Sequence, residues 1–380
     1  MIELNSNELI FSFPEIRDQL QQRVYRWLDE RVYRATNEER ARLPESRERL
    51  QSSFDQCIPR IGTRVAFQRT LRIPDDGRDY PLPPSLGHFP VRHVDDFAGV
   101  PNSWKTRGGV MLPMHQTEAL WLNFYASEYP IALKIGAGGI CAISGERWAV
   151  TLQSTPQNYV VLPYQPWLDG FRINQDVVRQ FVAMPLGQGL TVEQQLTGEE
   201  TWGGLQFQAF PYRADEFWNH TLRGSLSSHW NALMSPPPEM RVCYSVCEGP
   251  REMPGAGLGA GGRMKQKIIK DPHGSTAWDT AQSSRCYAHL CLADDWQRIT
   301  GTLPPQKPPT AVDYTAAGLP WFDYDVGQAG VEGATALSGV KTVSELAGKK
   351  LGLELPDNAP VAPANIVTYR PGSIRRVREF

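Results

Sequence analysis

No stretch of the 380-residue chain approaches the roughly 18 consecutive apolar residues that a membrane-spanning helix requires. Residues 1–15 carry acids and no basic cluster ahead of an apolar run, so they do not read as a secretory leader. Cysteine is scarce: six residues cannot staple a fold of this size, and without a leader they are expected to be reduced thiols in a cytoplasmic protein. Excess charge is absent as well. With 39 Lys and Arg against 41 Asp and Glu, the net charge of −2 argues against a dedicated nucleic-acid binder, whose affinity comes from neutralising many phosphates. It argues equally against a polybasic membrane-surface protein. There is no G-x-S-x-G elbow, no H-E-x-x-H pair, no P-loop and no internal repeat. These gaps remove the easy enzyme classes and leave no cofactor to be expected.

Turn formers and tryptophan are plentiful. The 33 glycines and 31 prolines favour short strands joined by turns, and 11 tryptophans are about twice the ordinary usage. Residues 1–63 differ from the rest: Ile16, Leu20, Val24, Trp27, Leu28 and Val32 recur at helical spacing after Pro14, and Thr36 with Glu39 has capping-box spacing. This predicts amphipathic helices whose stripe, with Val24, Trp27 and Leu28, packs either on the protein's own core or on a second protein. From Val65 the period changes. Leu120, Leu122 and Phe124 alternate with Trp121, Asn123 and Tyr125, the pattern of a half-buried strand.

The expected fold is mainly β, with a sandwich-like β-rich domain over 64–233. A Pro/Gly-rich linker over 234–262, a smaller second β-rich unit over 263–330 and a Pro-rich tail over 331–380 follow. The glycines at 255, 257, 259, 261 and 262 superficially suggest a dinucleotide loop. Such a loop needs a strand before it and a helix after it, and neither is predicted, so a flexible linker is the reading adopted.

Several strings read as family signatures: Arg72-Ile73-Pro74-Asp75-Asp76-Gly77, Gln165-Pro166-Trp167-Leu168-Asp169-Gly170, Arg179-Gln180-Phe181-Val182-Ala183-Met184-Pro185-Leu186-Gly187, Gln195-Leu196-Thr197-Gly198, Trp278-Asp279 and Gly318-Leu319-Pro320-Trp321-Phe322-Asp323-Tyr324. Together they resemble an uncharacterised family of bacterial and fungal hypothetical proteins, some fungal members of which carry a ubiquitin unit inserted where this chain has residues 235–262. The resemblance covers about residues 64–330. It implies an exposed loop at the insertion point, and it brings no activity and no catalytic residues.

Candidate chemistry is sparse. His115, Glu118, Asp169 and Arg179 supply a base, carboxylates and a cation near Trp167, enough for a cleft that binds or hydrolyses a polar ligand. The plainer alternative makes Glu118 and Arg179 surface charges and Asp169-Gly170 a turn. Trp121, Tyr125 and Trp167 are flat aromatics able to stack on a sugar ring, although large aromatics more often anchor cores. Cys243, Cys247, Cys286 and Cys291 have spacings near those of a zinc site, but Cys286 and Cys291 point to opposite faces of one predicted strand. Asp271, His273 and Asp279 form a second polar cluster.

Two expectations follow. The first is a non-catalytic binding or scaffold protein that contacts another protein or itself. The second is an enzyme or binding protein for a polar small molecule or glycan in the cleft near His115, Glu118, Asp169 and Arg179.

Overall fold

In strand Ala119–Ala126 the alternation of the sequence becomes an alternation of faces: Leu120, Leu122 and Phe124 enter the main core, and Trp121, Asn123 and Tyr125 lie on the other side. The computed structural model describes residues 1–234, 257–324, 330–331, 335–352, 355 and 358–369. Among these residues, Ala119–Ala126 is the centre of a nine-stranded mixed sheet. Its neighbours on one side are Gly62–Thr70, Glu8–Ser12 and Ile2–Asn5, and on the other Val177–Met184, Gly257–Lys265 and Asp79–Tyr80. The short strands Trp167–Leu168 and Gly170–Arg172 pair with Ala119–Ala126 and Val177–Met184, respectively.

A second mixed sheet runs Val160–Leu162, Ile131–Ala137, Leu205–Pro211, Ser284–Leu292, Val110–Met114 and Arg92–His93. Phe11 and Phe67 of the first sheet meet Phe207 of the second, with ring centroids 6.5 and 5.8 Å apart. One apolar core therefore joins both sheets, each buried aromatic contributing about 1.5–3 kcal/mol. Strands Trp321–Tyr324 and Ile366–Tyr369 form a small parallel pair of their own.

Helix and strand each account for about 30% of the protein, so the fold is α/β with two mixed open sheets, not mainly β. The Gly and Pro content pointed away from helices because the prolines gather in the connections. The helices that it hid are short and individually capped, as at Thr191, Thr310 and Thr342, whose hydroxyls accept from a backbone N–H three residues on. The N-terminal helices are present. Pro14–Arg34 starts on proline, and Thr36 and Glu39 form the expected capping box.

The stripe of that first helix is not a surface. Trp27 packs against Phe54 at 5.9 Å with the rings tilted by 48° and meets Trp230 edge-on at 6.2 Å, while Val24 and Leu28 are sealed in the core. Val24, Trp27 and Leu28 are thus not available as an interface, because helices Arg47–Asp55 and Arg223–Leu233 already cover them.

The glycine run also differs from expectation. Gly257–Lys265 is a buried strand paired along its length with Val177–Met184. A Cβ on Gly259 would meet Val343 at 2.6 Å, on Gly261 would meet Val182 at 2.5 Å, and on Gly262 would meet the Pro74 carbonyl at 2.3 Å. These glycines let helix Val343–Leu351 and the 73–74 segment approach the sheet closely, so residues 257–262 are neither linker nor phosphate loop. Residues 235–256 lie outside the described residues. Strands Gly257–Lys265 and Ser284–Leu292 enter the two large sheets, which removes 263–330 as a separate unit. The tail contributes as well, through Val343, Leu346 and Ala347 buried against the body. Among the described residues, no helix is long and apolar enough to cross a membrane.

Candidate functional site

His115 and Glu118 close a tight turn at the start of strand Ala119–Ala126, with the Glu118 amide donating to the His115 carbonyl at 3.0 Å and Thr117 at φ 69°. The Glu118 carboxylate turns inward. One oxygen accepts from Arg69 Nε at 2.8 Å and lies 2.7 Å from its Nη2; the other accepts from the His115 amide at 2.8 Å. Burial raises the pKa of Glu118, and Arg69 opposes the shift. His115 Nε2 donates to the Pro305 carbonyl at 2.7 Å, and Arg69 Nη2 donates to the Gln306 carbonyl. The 305–306 segment therefore lies over this corner, its carbonyls accepting from both side chains.

Asp169 sits elsewhere. It is buried and accepts from the indole Nε1 of Trp167 at 2.6 Å, while its own amide donates to Gln266 Oε1 at 3.0 Å. With no cation to offset burial, its carboxyl is pushed up to about 7 despite the indole bond. Arg179 belongs to a third place. Its Nε and Nη1 are buried without a partner among the described residues, burial lowers its pKa, and the charges of Glu345 and Asp75 oppose that shift. Among the described residues, no hydrogen bond or ion pair links Asp169 to His115, Glu118 or Arg179. The four candidates are distributed over one strand neighbourhood without forming a polar constellation.

The aromatic candidates separate in the same way. Tyr125 is exposed beneath the Arg64 guanidinium, 4.8 Å from the ring centre. Trp121 is half-buried, with an indole nitrogen that has no partner among the described residues. Trp167 is different. Its indole is tied to Asp169, and its carbonyl accepts from Gln165 Nε2 at 3.0 Å and Gln266 Nε2 at 3.2 Å. Its ring lies 5.1 Å from that of Tyr324 at 55°. Both rings line an open cleft of about 320 Å³ whose other walls include Asp79, Asp176, Asp323, Lys265 and Lys267. Two of those carboxylates have cationic neighbours: Arg263 donates to Asp79 at 2.8 Å, and Lys267 lies 3.9 Å from Asp176.

Sequence reasoning found Trp167 and missed its partners. Asp323 and Tyr324 lie in a string already singled out, but their apposition to Trp167 depends on the small sheet Trp321–Tyr324 docking through an antiparallel bridge from Phe322 to Leu82. No local periodicity carries that information.

Cys243 and Cys247 lie outside the described residues; Cys286 is pushed up to about 12 by burial, and the pKa of Cys291 is also raised by burial. Among the described residues, no group of three or more His, Cys, Asp or Glu side chains is placed to hold a metal. His289 is stacked between Trp104 and Tyr287 at 4.6 and 4.4 Å and lowered to about 4 mainly by burial, a neutral ring built into the packing. Asp271 accepts from Tyr159 OH at 2.5 Å, Trp278 Nε1 at 3.0 Å and the His273 amide at 2.8 Å, whereas Asp279 caps the 281–282 turn.

No family model, no curated protein and no solved structure matches this chain.

Proposed function

We propose that the protein binds a polyhydroxylated ligand of glycan type in the cleft lined by Trp167 and Tyr324. The observation that carries this reading is the fixation of Trp167. Three side chains hold its indole nitrogen and carbonyl while its ring lines an open cleft. An aromatic face that is rigid before binding loses little conformational freedom when a ligand lands on it. The rim offers carboxylate acceptors (Asp79, Asp176, Asp323) and ammonium donors (Lys265, Lys267) together. A sugar ring presents an apolar face to aromatics and hydroxyls, each both donor and acceptor, around its edge, which suits that combination.

This is the binding arm of the second expectation, moved from the His115 corner to Trp167. The scaffold expectation loses its helical stripe to the protein's own core. The test is calorimetric titration of the full chain with cellobiose and with maltose. Saturable binding of either disaccharide, weakened at least tenfold in Trp167→Ala and in Tyr324→Ala but unchanged in Tyr125→Ala, is the expected result. Equal binding by all four proteins, or none by the parent, would remove the proposal.

A further inference from the structure

A second cavity, of about 490 Å³, shares no lining residue with the Trp167 cleft and is lined by Tyr164, Tyr212 and His273 together with Glu128, Glu216 and His220. Its aromatic wall is a connected cluster. His273 lies 5.7 Å from Tyr164 and 4.7 Å from Tyr212, and Trp278 backs both His273 and Tyr212 at 5.7 and 5.6 Å. Asp271 fixes that wall from behind through Trp278 Nε1 and the His273 amide. The opposite wall comes from the helical segment 214–222, which includes a π-helical turn at Trp218–Leu222, a distortion that recurs at functional sites. It contributes Glu216 and His220, 3.1 Å apart.

The charge of this lining is one-sided. Two carboxylates face it, and among the described residues it has no lysine or arginine. Burial lowers the pKa of His273, which favours the neutral ring. The His273 Nε2 is buried and has no hydrogen-bond partner among the described residues. Aromatic faces attract cations through the ring quadrupole, and carboxylates add direct charge attraction.

We propose that this cavity binds an alkylammonium group, with the tyrosine rings on its apolar stem and Glu216 near its charge. The site is separate from the Trp167 cleft and does not depend on how that cleft is used. The test is ligand-observed NMR titration of the full chain with n-butylammonium and with its neutral counterpart 1-butanol. We expect butylammonium to bind at least tenfold more tightly than butanol. Glu216→Gln and Tyr164→Ala, both at partly exposed positions, should each weaken it at least fivefold with thermal unfolding unchanged. Equal binding of the cation and the alcohol overturns the proposal, as does butylammonium binding that both variants leave intact. Binding of methyl glucoside that depends on Tyr164 and is not displaced by butylammonium would also overturn it.

Discussion

Glu118 and Asp169 are both buried carboxylates flanking strand Val177–Met184, their backbone carbonyls accepting from the amides of Ala183 and Phe181. Their surroundings treat them differently. Glu118 has the Arg69 guanidinium at 2.7 Å and a backbone N–H, and the carbonyls at 305–306 accept from His115 and Arg69 beside it. Asp169 has an indole N–H and no cation, and its carboxyl rises to about 7. The first is a completed ion pair that fastens a turn to the body. The second holds one aromatic ring in position and can change charge near neutral pH. The chain at 305–306 lies over the Glu118 corner, whereas on the Trp167 side a side chain held in place lines an open cleft, and that difference favours the Trp167 side.

The comparison can be broken most forcefully at Glu118. Glu118→Ala leaves Arg69 largely buried without its counter-charge and should cost about 3–5 kcal/mol of stability by urea unfolding. Sugar titrations should be unaffected at concentrations where the variant stays folded. A loss below 1 kcal/mol would mean that the corner is solvated and open after all.

Next comes Asp169→Asn, where pH is the readout. The folded-state value near 7 lies above the ordinary 3.8, so the native protein holds the proton over a range where the unfolded chain has released it. The associated stability is complete below about pH 4 and is lost as pH rises to about 7, by on the order of 4 kcal/mol. Asparagine keeps an acceptor for the Trp167 indole and removes the titration. The variant should therefore gain on the parent steadily between about pH 4 and 7 in thermal unfolding, with the gain levelling off above that. Parallel pH profiles would show that Asp169 is not the unpaired carboxylate described.

Gly262→Ala probes the framework shared by both carboxylates. The new Cβ meets the Pro74 carbonyl at 2.3 Å, which should cost about 1–3 kcal/mol by forcing the 73–74 segment outward. The slope of stability against pH set by Asp169 should persist. The smallest effect belongs to Tyr125→Ala, which loses a solvent-exposed contact with Arg64 and should change stability by about 0.5–1 kcal/mol.

Much of the local structure was legible in the sequence. The two faces of Ala119–Ala126 and the capping box at Thr36 and Glu39 both follow from short-range pattern. What misled was composition used as a proxy for order. Glycines 257 to 262 read as a linker because they carry no side chains to pack. In the fold, however, the missing side chains are what let Val343 and Pro74 reach the strand. The amphipathic stripe with Trp27 read equally well as an interface or as core, since both bury an apolar face; only the position of Trp230, some 200 residues away, decides between them. The candidate site was half legible for the same reason. Trp167 and Asp169 are neighbours in the chain, while Tyr324 reaches them through tertiary docking alone.

The most direct measurement is the indole ¹⁵N–¹H NMR spectrum of the tryptophan-labelled protein, with the Trp167 signal assigned by its loss in Trp167→Phe, recorded during titration with cellobiose and maltose. The account predicts a saturable shift of the Trp167 signal with at least one of the two sugars, while those of Trp27 and Trp230 stay in place. A Trp167 signal that does not move with either sugar, or a shift equally large at the core tryptophans, would contradict it.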